Sequence, residues 1–384
     1  MKLRTVFSRK FILIIFTCLF LFSNIILVNS ATTKIIFTID EIGSIKTNGE
    51  AMNVVVENEI AFVLDTTDNN PGGVVIINVS NPSYPVKLSS FFDGGIAYEI
   101  AIKGDYAIVA DGTDGIEILN ISNLQNPSKI FQYPVNNYCT DVVIIDDLLY
   151  AANWDKGLEI FNISDISNPV KINSYNSFSL NCVQLDIEGE IAVVTNHQND
   201  YTSIIVLNIS NPYSPVQLDS YVRSGVDFWD PVIHEDYIYV CNHGLNGGEL
   251  QILDMSDPTN ITQIGIFDDR ANIHAITLNN SIAFLADYNL GVEIIDVSDP
   301  TNPVKIGKYF DGGHAKNLRV VNDLIFVADR EDGLEILRVV ITTKTADSNE
   351  ITIVIITIGA IFLITQKVDL KTKCLKMRHR KLRN

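Results

Sequence analysis

Residues that carry chemistry are scarce in this sequence. Its 384 residues include five cysteines, six histidines, four methionines and two tryptophans. Two of the cysteines, Cys18 and Cys374, fall near the ends of the chain, so no disulfide framework can be built. No HExxH helix, nucleophile elbow or glycine-rich phosphate loop is present, which removes the enzyme classes those motifs announce. Sustained helical periodicity is missing from the middle of the chain. Positive charge is short as well: 28 Lys and Arg stand against 46 Asp and Glu, for a net charge of −18.

The basic residues that exist crowd the ends. Residues 1–30 carry four and no acid, and residues 367–384 carry eight with one acid. The interior, 31–366, keeps 16 basic and 45 acidic residues, a net of −29. Such a surface repels phosphate backbones, so nucleic acid is excluded as a partner.

Both ends read as membrane-directed. A basic start followed by the apolar run Phe11–Val28, with small residues at Val28-Asn29-Ser30, reads as a signal peptide over 1–30. The run is long for a signal, so an uncleaved signal anchor is the alternative. Ile351–Gln366 is uncharged and rich in isoleucine, and Lys367 can snorkel, which gives a transmembrane helix at 351–367. The basic tail 368–384 then marks the cytoplasmic side, and 342–350 is a polar linker. The expectation is a single-pass protein of the cell membrane, extracellular over 31–341 and cytoplasmic at its C-terminus.

The middle is repetitive. Segments such as GIEILNIS (115–122), GLEIFNIS (157–164) and GVEIIDVS (291–298) share one pattern. Their closing serines, Ser80, Ser122, Ser164, Ser210, Ser256 and Ser298, are spaced by 42, 42, 46, 46 and 42. Each period holds four short aliphatic runs divided by turn residues, as in Tyr98–Lys103, Tyr106–Ala110, Ile116–Ile121 and Ser128–Tyr133. Four strands in such a period make a propeller blade. The second strand recurs seven times, ending at Asp65, Asp111, Asn153, Asn196, Asn242, Asp287 and Asp329. The last copy lacks a fourth strand, and EIGSIKT (41–47) matches KIGKYF (305–310) in pattern. The predicted fold is therefore an all-β, seven-bladed propeller of four-stranded blades, closed by an N-terminal strand that leaves no sheet edge open.

The segment IIDVSDPTNPVKIG (294–307), preceded by Ala286-Asp287-Tyr288-Asn289-Leu290-Gly291, resembles the LVIVD repeat. The resemblance covers roughly 41–339. It implies a cell-surface β-propeller of prokaryotic type, from a family mostly without an assigned activity. Blades four and five depart by longer loops, Asn196–Ser203 and Asn242–Glu249.

Two groups of candidate site residues follow from the blade geometry. One position near the top of each first strand is polar in six of seven copies: Asn53, Glu99, Asp141, Gln184, Asp230 and Asn317, with Ala275 the exception. Five of these, Asn53, Glu99, Asp141, Asp230 and Asn317, form a candidate ring for a hard cation such as calcium. The plainer reading, and the favoured one, is that they satisfy backbone amides of the neighbouring strand. The second group gathers on the same face. Trp154, His197 and His243 open second-to-third-strand loops, and Trp229 and His274 share a first-strand position. Ordinary packing between blades is the plainer reading of these, and stacking on a glycan or anchoring a protein the functional one.

Smaller features take structural readings. The Asp or Asn closing each second strand is expected to cap a turn. Asp111-Gly112-Thr113-Asp114-Gly115 has a calcium-loop flavour but no terminal bidentate Glu. Asn78, Asn120, Asn162 and Asn208 form sequons, yet Asp254 and Asp296 fill the same repeat position, so turn chemistry comes first. Cys139, Cys182 and Cys241 are expected as free, buried thiols. The leading expectation is a non-catalytic module that binds an extracellular protein or glycan, without a resident cofactor unless calcium. The alternative is a calcium-dependent, lactonase-like hydrolase at the channel mouth.

Overall fold

A computed structural model of the chain describes residues 33–67, 70–135, 138–176, 181–198, 201–244, 247–345, 350–354 and 365–369. Residues 37–340 contain a seven-bladed propeller. Blades 1 to 6 are four-stranded antiparallel sheets over 50–92, 99–133, 139–175, 182–223, 226–271 and 273–309. Blade 7 takes three strands from the C-terminal side, Asn317–Val321, Leu324–Asp329 and Gly333–Thr345. Its fourth is the N-terminal strand Thr33–Ile45, which pairs with the last of these.

The strands of blade 2, Glu99–Lys103, Tyr106–Ala110, Ile116–Asn120 and Ser128–Tyr133, lie within a residue of where the sequence pattern puts them. Their burial follows their rank in the blade. The second and third strands are almost wholly buried because adjacent blades cover both of their faces. The fourth strand alternates towards solvent. The core therefore lies between blades. Leu158 and Ile160 of blade 3 pack on Leu185, Val194 and Leu207 of blade 4. Each such side chain contributes about 1.5–3 kcal/mol by leaving water. Ile42 and Ile45 of the N-terminal strand join the corresponding core between blades 7 and 1.

One bulge recurs between third and fourth strands. In blade 2, Ile118 faces Phe131 but Leu119 faces Lys129, so Ile130 is skipped. That slip turns Lys129 onto the face carrying Glu117, which is 2 % exposed, and the two pair at 2.7 Å. Lys171 with Glu159 in blade 3, and Lys305 with Glu293 in blade 6, repeat the arrangement.

The turn residues behave as their chemistry predicts. Asn78, Asn120, Asn162 and Asn208 each accept from the backbone N–H and hydroxyl of the serine two residues on. Cys139, Cys182 and Cys241 are free and buried, and burial pushes all three thiols up. The two longer loops are strand extensions: blade 4 continues to His197 and resumes at Thr202, and blade 5 continues to Gly244 and resumes at Gly248.

A separate unit includes residues 341–345, where Thr342–Lys344 pairs antiparallel with Ile351–Ile353 and the strand Glu350–Val354 pairs with Thr365–Asp369. The leader 1–32, the centre of the segment read as a membrane span (355–364), and the tail from 370 lie outside the described residues. Among the described residues no helix is long and apolar enough to cross a membrane.

Candidate functional site at the channel mouth

Consecutive first strands touch one another around the ring, so they line the central channel. The recurring polar position lies near the end where each first strand enters, and its side chains reach from blade to blade. Asn53 Nδ2 donates to Tyr98 O at 3.1 Å and to Glu99 Oε2 at 2.7 Å. Asp141 Oδ2 accepts from Leu185 N–H at 2.8 Å. Gln184 Oε1 accepts from Asp230 N–H at 2.7 Å, and Asp230 Oδ2 from Ile276 N–H at 2.5 Å. The ring position thus joins blade 1 to blade 2, and blades 3 to 6 to one another, by side-chain bonds to the next first strand. Asn317 is buried, with its Oδ1 unbonded among the described residues.

Two charged residues of this channel carry no repeat signal. Asp186 accepts from Ile233 N–H at 2.7 Å, and Arg319 Nη2 lies 3.7 Å from Glu99 Oε1. Each sits two residues after the ring position of its own strand, hence on the same face. Burial and the carboxylates of Glu99 and Asp230 hold the Asp141 carboxyl well above its usual range. Asp230 is pushed up to about 7 by burial, with Arg319 opposing.

The aromatic candidates divide into two neighbourhoods. A cleft of about 450 Å³ opens between Tyr98, Tyr138, Trp154 and Trp229, with Thr140 and Gln184 as polar lining. Tyr98 and Tyr138 meet edge to face at 6.5 Å and remain 38 % and 37 % exposed. His197 is buried behind this group. Its ring packs edge-on to Trp229 at 5.0 Å, and its Nε2 lies 2.6 Å from Phe228 O. Burial lowers its pKa. His243 pairs in register with Asp227, and its side chain is outside the described residues.

His274 belongs to the other neighbourhood, over blades 6 and 7. Lys316 Nζ lies 3.1 Å from its Nδ1 and 5.3 Å from the Tyr288 ring centre. Burial and the Arg330 charge bring the Lys316 ammonium down to about 8. Tyr138 and Lys316 were not singled out from the sequence. Tyr138 stands three residues before the ring position Asp141, whereas Tyr98, Trp229 and His274 stand one residue before theirs, so the repeat carries no signal for it.

Six segments, 48–93, 94–135, 138–177, 227–269, 276–311 and 312–339, match the model of the LVIVD repeat and together span more than half of the chain. The chain belongs to the LVIVD-repeat family. Blade 4 is the unmatched member of this LVIVD ring, and it supplies Gln184 and His197 to the mouth. No curated protein matches the chain in sequence. Among solved structures it is similar to RRP9 WD40 repeats, at 11 % identity and a TM-score of 0.61, over 81 % of this chain and 98 % of that one. It is also similar to U3-55K, at 10 % identity and a TM-score of 0.60, over 80 % and 99 %. The computationally designed Ika8 protein follows at 7 % and 0.56, over 78 % and 99 %. At such identities the likeness is one of fold.

Proposed function

We propose that this LVIVD propeller is an exported, membrane-tethered module that binds a neutral glycan in the cleft between Tyr98, Tyr138, Trp154 and Trp229. The observation that carries the reading is the cleft itself. Its volume of about 450 Å³ falls within the range of small-ligand sites, about 300–1,000 Å³. Aromatic faces with a few polar groups suit the apolar C–H faces and hydroxyls of a sugar ring. Gln184 Oε1 is committed to Asp230 N–H, which leaves the Gln184 amide nitrogen as a donor for a hydroxyl. The acidic interior disfavours anionic ligands, so a neutral sugar is favoured. The basic, apolar leader and the apolar segment with its basic tail support export and anchoring.

The test is binding of the full-length chain in detergent to an array of defined neutral and acidic oligosaccharides. Binding to neutral sugars, weakened about tenfold or more by Trp154→Ala or Tyr98→Ala at unchanged Tm, supports the reading. Absence of binding to every sugar on the array overturns it.

The cation-dependent hydrolase is the second reading. It rests on the convergence of Glu99, Asp141 and Asp230, with Asp230 titrating near neutral pH, where a general acid or base works best. The bonds of Asp141 and Asp230 to backbone N–H groups weigh towards the stitching role.

A further inference from the structure

The Glu–Lys pair of the third and fourth strands changes around the ring in a way that singles out one blade. Blades 2, 3 and 6 set a buried glutamate against a lysine twelve residues later. Blade 5 replaces both, with Gln251 and Gln263, and blade 4 holds Ile205 and Gln217. Blade 1 has Val75 and Lys87, the lysine there acting on Asp65. Blade 7 keeps the buried glutamate, Glu335, at 4 % exposure. Its fourth strand comes from the N-terminus, and Glu41 stands where the lysine belongs.

The register of that strand is marked by Gly43, where a Cβ would collide with Pro82 O as one at Gly265 would collide with Pro300 O in blade 5. Gly265 follows Gln263 by two residues, as Gly43 follows Glu41. A neighbouring tyrosine agrees. Tyr175 and Tyr221 each donate to the glutamine in this position one blade on, Gln217 and Gln263, at 2.8 Å. Tyr309 is the tyrosine one blade before Glu41, and burial, with the carboxylates of Glu335, Asp311 and Glu41 adding to it, holds its phenol up.

Around Glu335 the acids accumulate. Carboxylate oxygens of Asp311, Asp329 and Glu335 lie within 4.8 Å of one another. Oxygens around one calcium ion at about 2.4 Å can be no further apart than about 4.8 Å. Asp329 is 3 % exposed, and its Oδ1 has no hydrogen-bond partner among the described residues. Its carboxylate occupies the space that a Cβ at position 313 would fill, and Gly313 leaves that space open. Among the described residues no lysine or arginine pairs with any of the three.

The same architecture two blades further round the ring shows what balances such a cluster. Asp93, Asp111 and Glu117 superpose on it in the repeat, with Gly95 in the place of Gly313. There Lys129 Nζ pairs with both Asp93, at 2.5 Å, and Glu117, at 2.7 Å. A cation is built into blade 2. In blade 7 the protein supplies a fourth acid instead.

We propose that Asp311, Asp329 and Glu335, joined by Glu41 from the N-terminal strand, bind a calcium ion that fastens this strand into the last blade. The donors are all oxygen and mostly anionic, the set a hard divalent cation takes. The proposal is independent of the aromatic cleft and of the channel-mouth ring.

The experiment measures calcium binding to the full-length chain in detergent after chelator treatment, by equilibrium dialysis with radioactive calcium and by tyrosine-sensitised terbium luminescence. The expected result is one calcium per chain and a Tm that rises with calcium concentration. Glu41→Lys, which copies blades 2, 3 and 6, is expected to abolish binding and make Tm indifferent to calcium without lowering it in chelator. Asp329→Asn is expected to weaken binding about tenfold or more. Asp111→Asn in the lysine-balanced cluster and Glu99→Gln at the channel mouth are expected to leave it unchanged. No calcium bound at millimolar concentration, or binding that survives both Glu41→Lys and Asp329→Asn, overturns the proposal.

Discussion

Arg330 Nε of blade 7 donates to Glu50 Oε2 of blade 1 at 2.7 Å, across 280 residues of chain. Beside this pair the two blades exchange backbone bonds, Ala51 N–H to Arg330 O at 2.9 Å and Arg330 N–H to Ala51 O at 3.1 Å. The Arg330 side chain also reaches the Tyr288 hydroxyl, so one residue touches blades 6, 7 and 1. Arg330→Met is expected to destabilise by about 1 kcal/mol, since the pair is partly exposed. In a ring of this size that is a fall in Tm of about 2 °C, read by calorimetry. A double-mutant cycle with Glu50→Gln should return a coupling of the same order.

Lys129 has a larger effect to show. Lys129→Met leaves Glu117 buried beside Asp93 and Asp111 with no cation. Breaking a buried pair costs about 3–5 kcal/mol, and the partial exposure of Lys129 reduces this to about 2–3 kcal/mol. The double replacement Glu117→Gln with Lys129→Gln reproduces the pair that blade 5 carries, Gln251 and Gln263. It is expected to recover most of the loss in a thermal melt. Equal damage from the single and double variants would contradict the pairing.

Stability should fall as pH rises through the neutral range. Burial pushes Asp230 up to about 7, and burial with the nearby acids pushes Asp111 up to about 8, from 3.8. Above about pH 4 the unfolded chain has released these protons while the folded chain still holds them. The folded state therefore loses ground from about pH 4 until about 7 for Asp230 and about 8 for Asp111, and no further beyond. Tm measured from about pH 5 to about pH 9 in chelator should decline, and Asp230→Asn should flatten the lower part of that decline. A Tm that climbs over the interval would contradict the assignment.

The sequon asparagines should tolerate one change and not another. Asn120 Oδ1 accepts from Ser122 N–H at 3.0 Å and from its hydroxyl at 2.7 Å, as Asp254 and Asp296 accept from the N–H groups of Ser256 and Ser298. Asn120→Asp is expected to be neutral within about 0.5 kcal/mol, and Asn120→Ala to cost about 1 kcal/mol. Thermal melts of the two variants decide it.

What could be read from the sequence was whatever the repeat wrote seven times. The Asn/Asp-x-Ser turn, the Asp or Asn closing each second strand and the aliphatic runs between them recur in register, so blade count and strand limits followed. Glu41-Ile42-Gly43 disclosed the closing strand because it copies Lys305-Ile306-Gly307 in all but its first residue. Interactions made once did not announce themselves. Arg319 and Asp186 line the channel in single blades, and no other copy points to them. The acid clusters draw Asp93 and Asp311 from one blade and their partners from the next, whereas a calcium-loop pattern is sought within a single loop. His197 looks like a rim residue by position, yet the extension of its hairpin in blade 4 buries it against Trp229.

The closing strand reverses the usual order of assembly. Thr38 Oγ1 finds its partner, Val340 O, 302 residues later. The strand Thr33–Ile45 can take its place in the blade only once the strand Gly333–Thr345 exists to receive it. The six blades between can each form from local hairpins, but the ring is locked in one late step of high contact order. A chain halted before Gly333 would hold six folded blades and an unclaimed strand at its front. Completion of the seventh blade thus waits until synthesis has passed the strand that begins at Gly333.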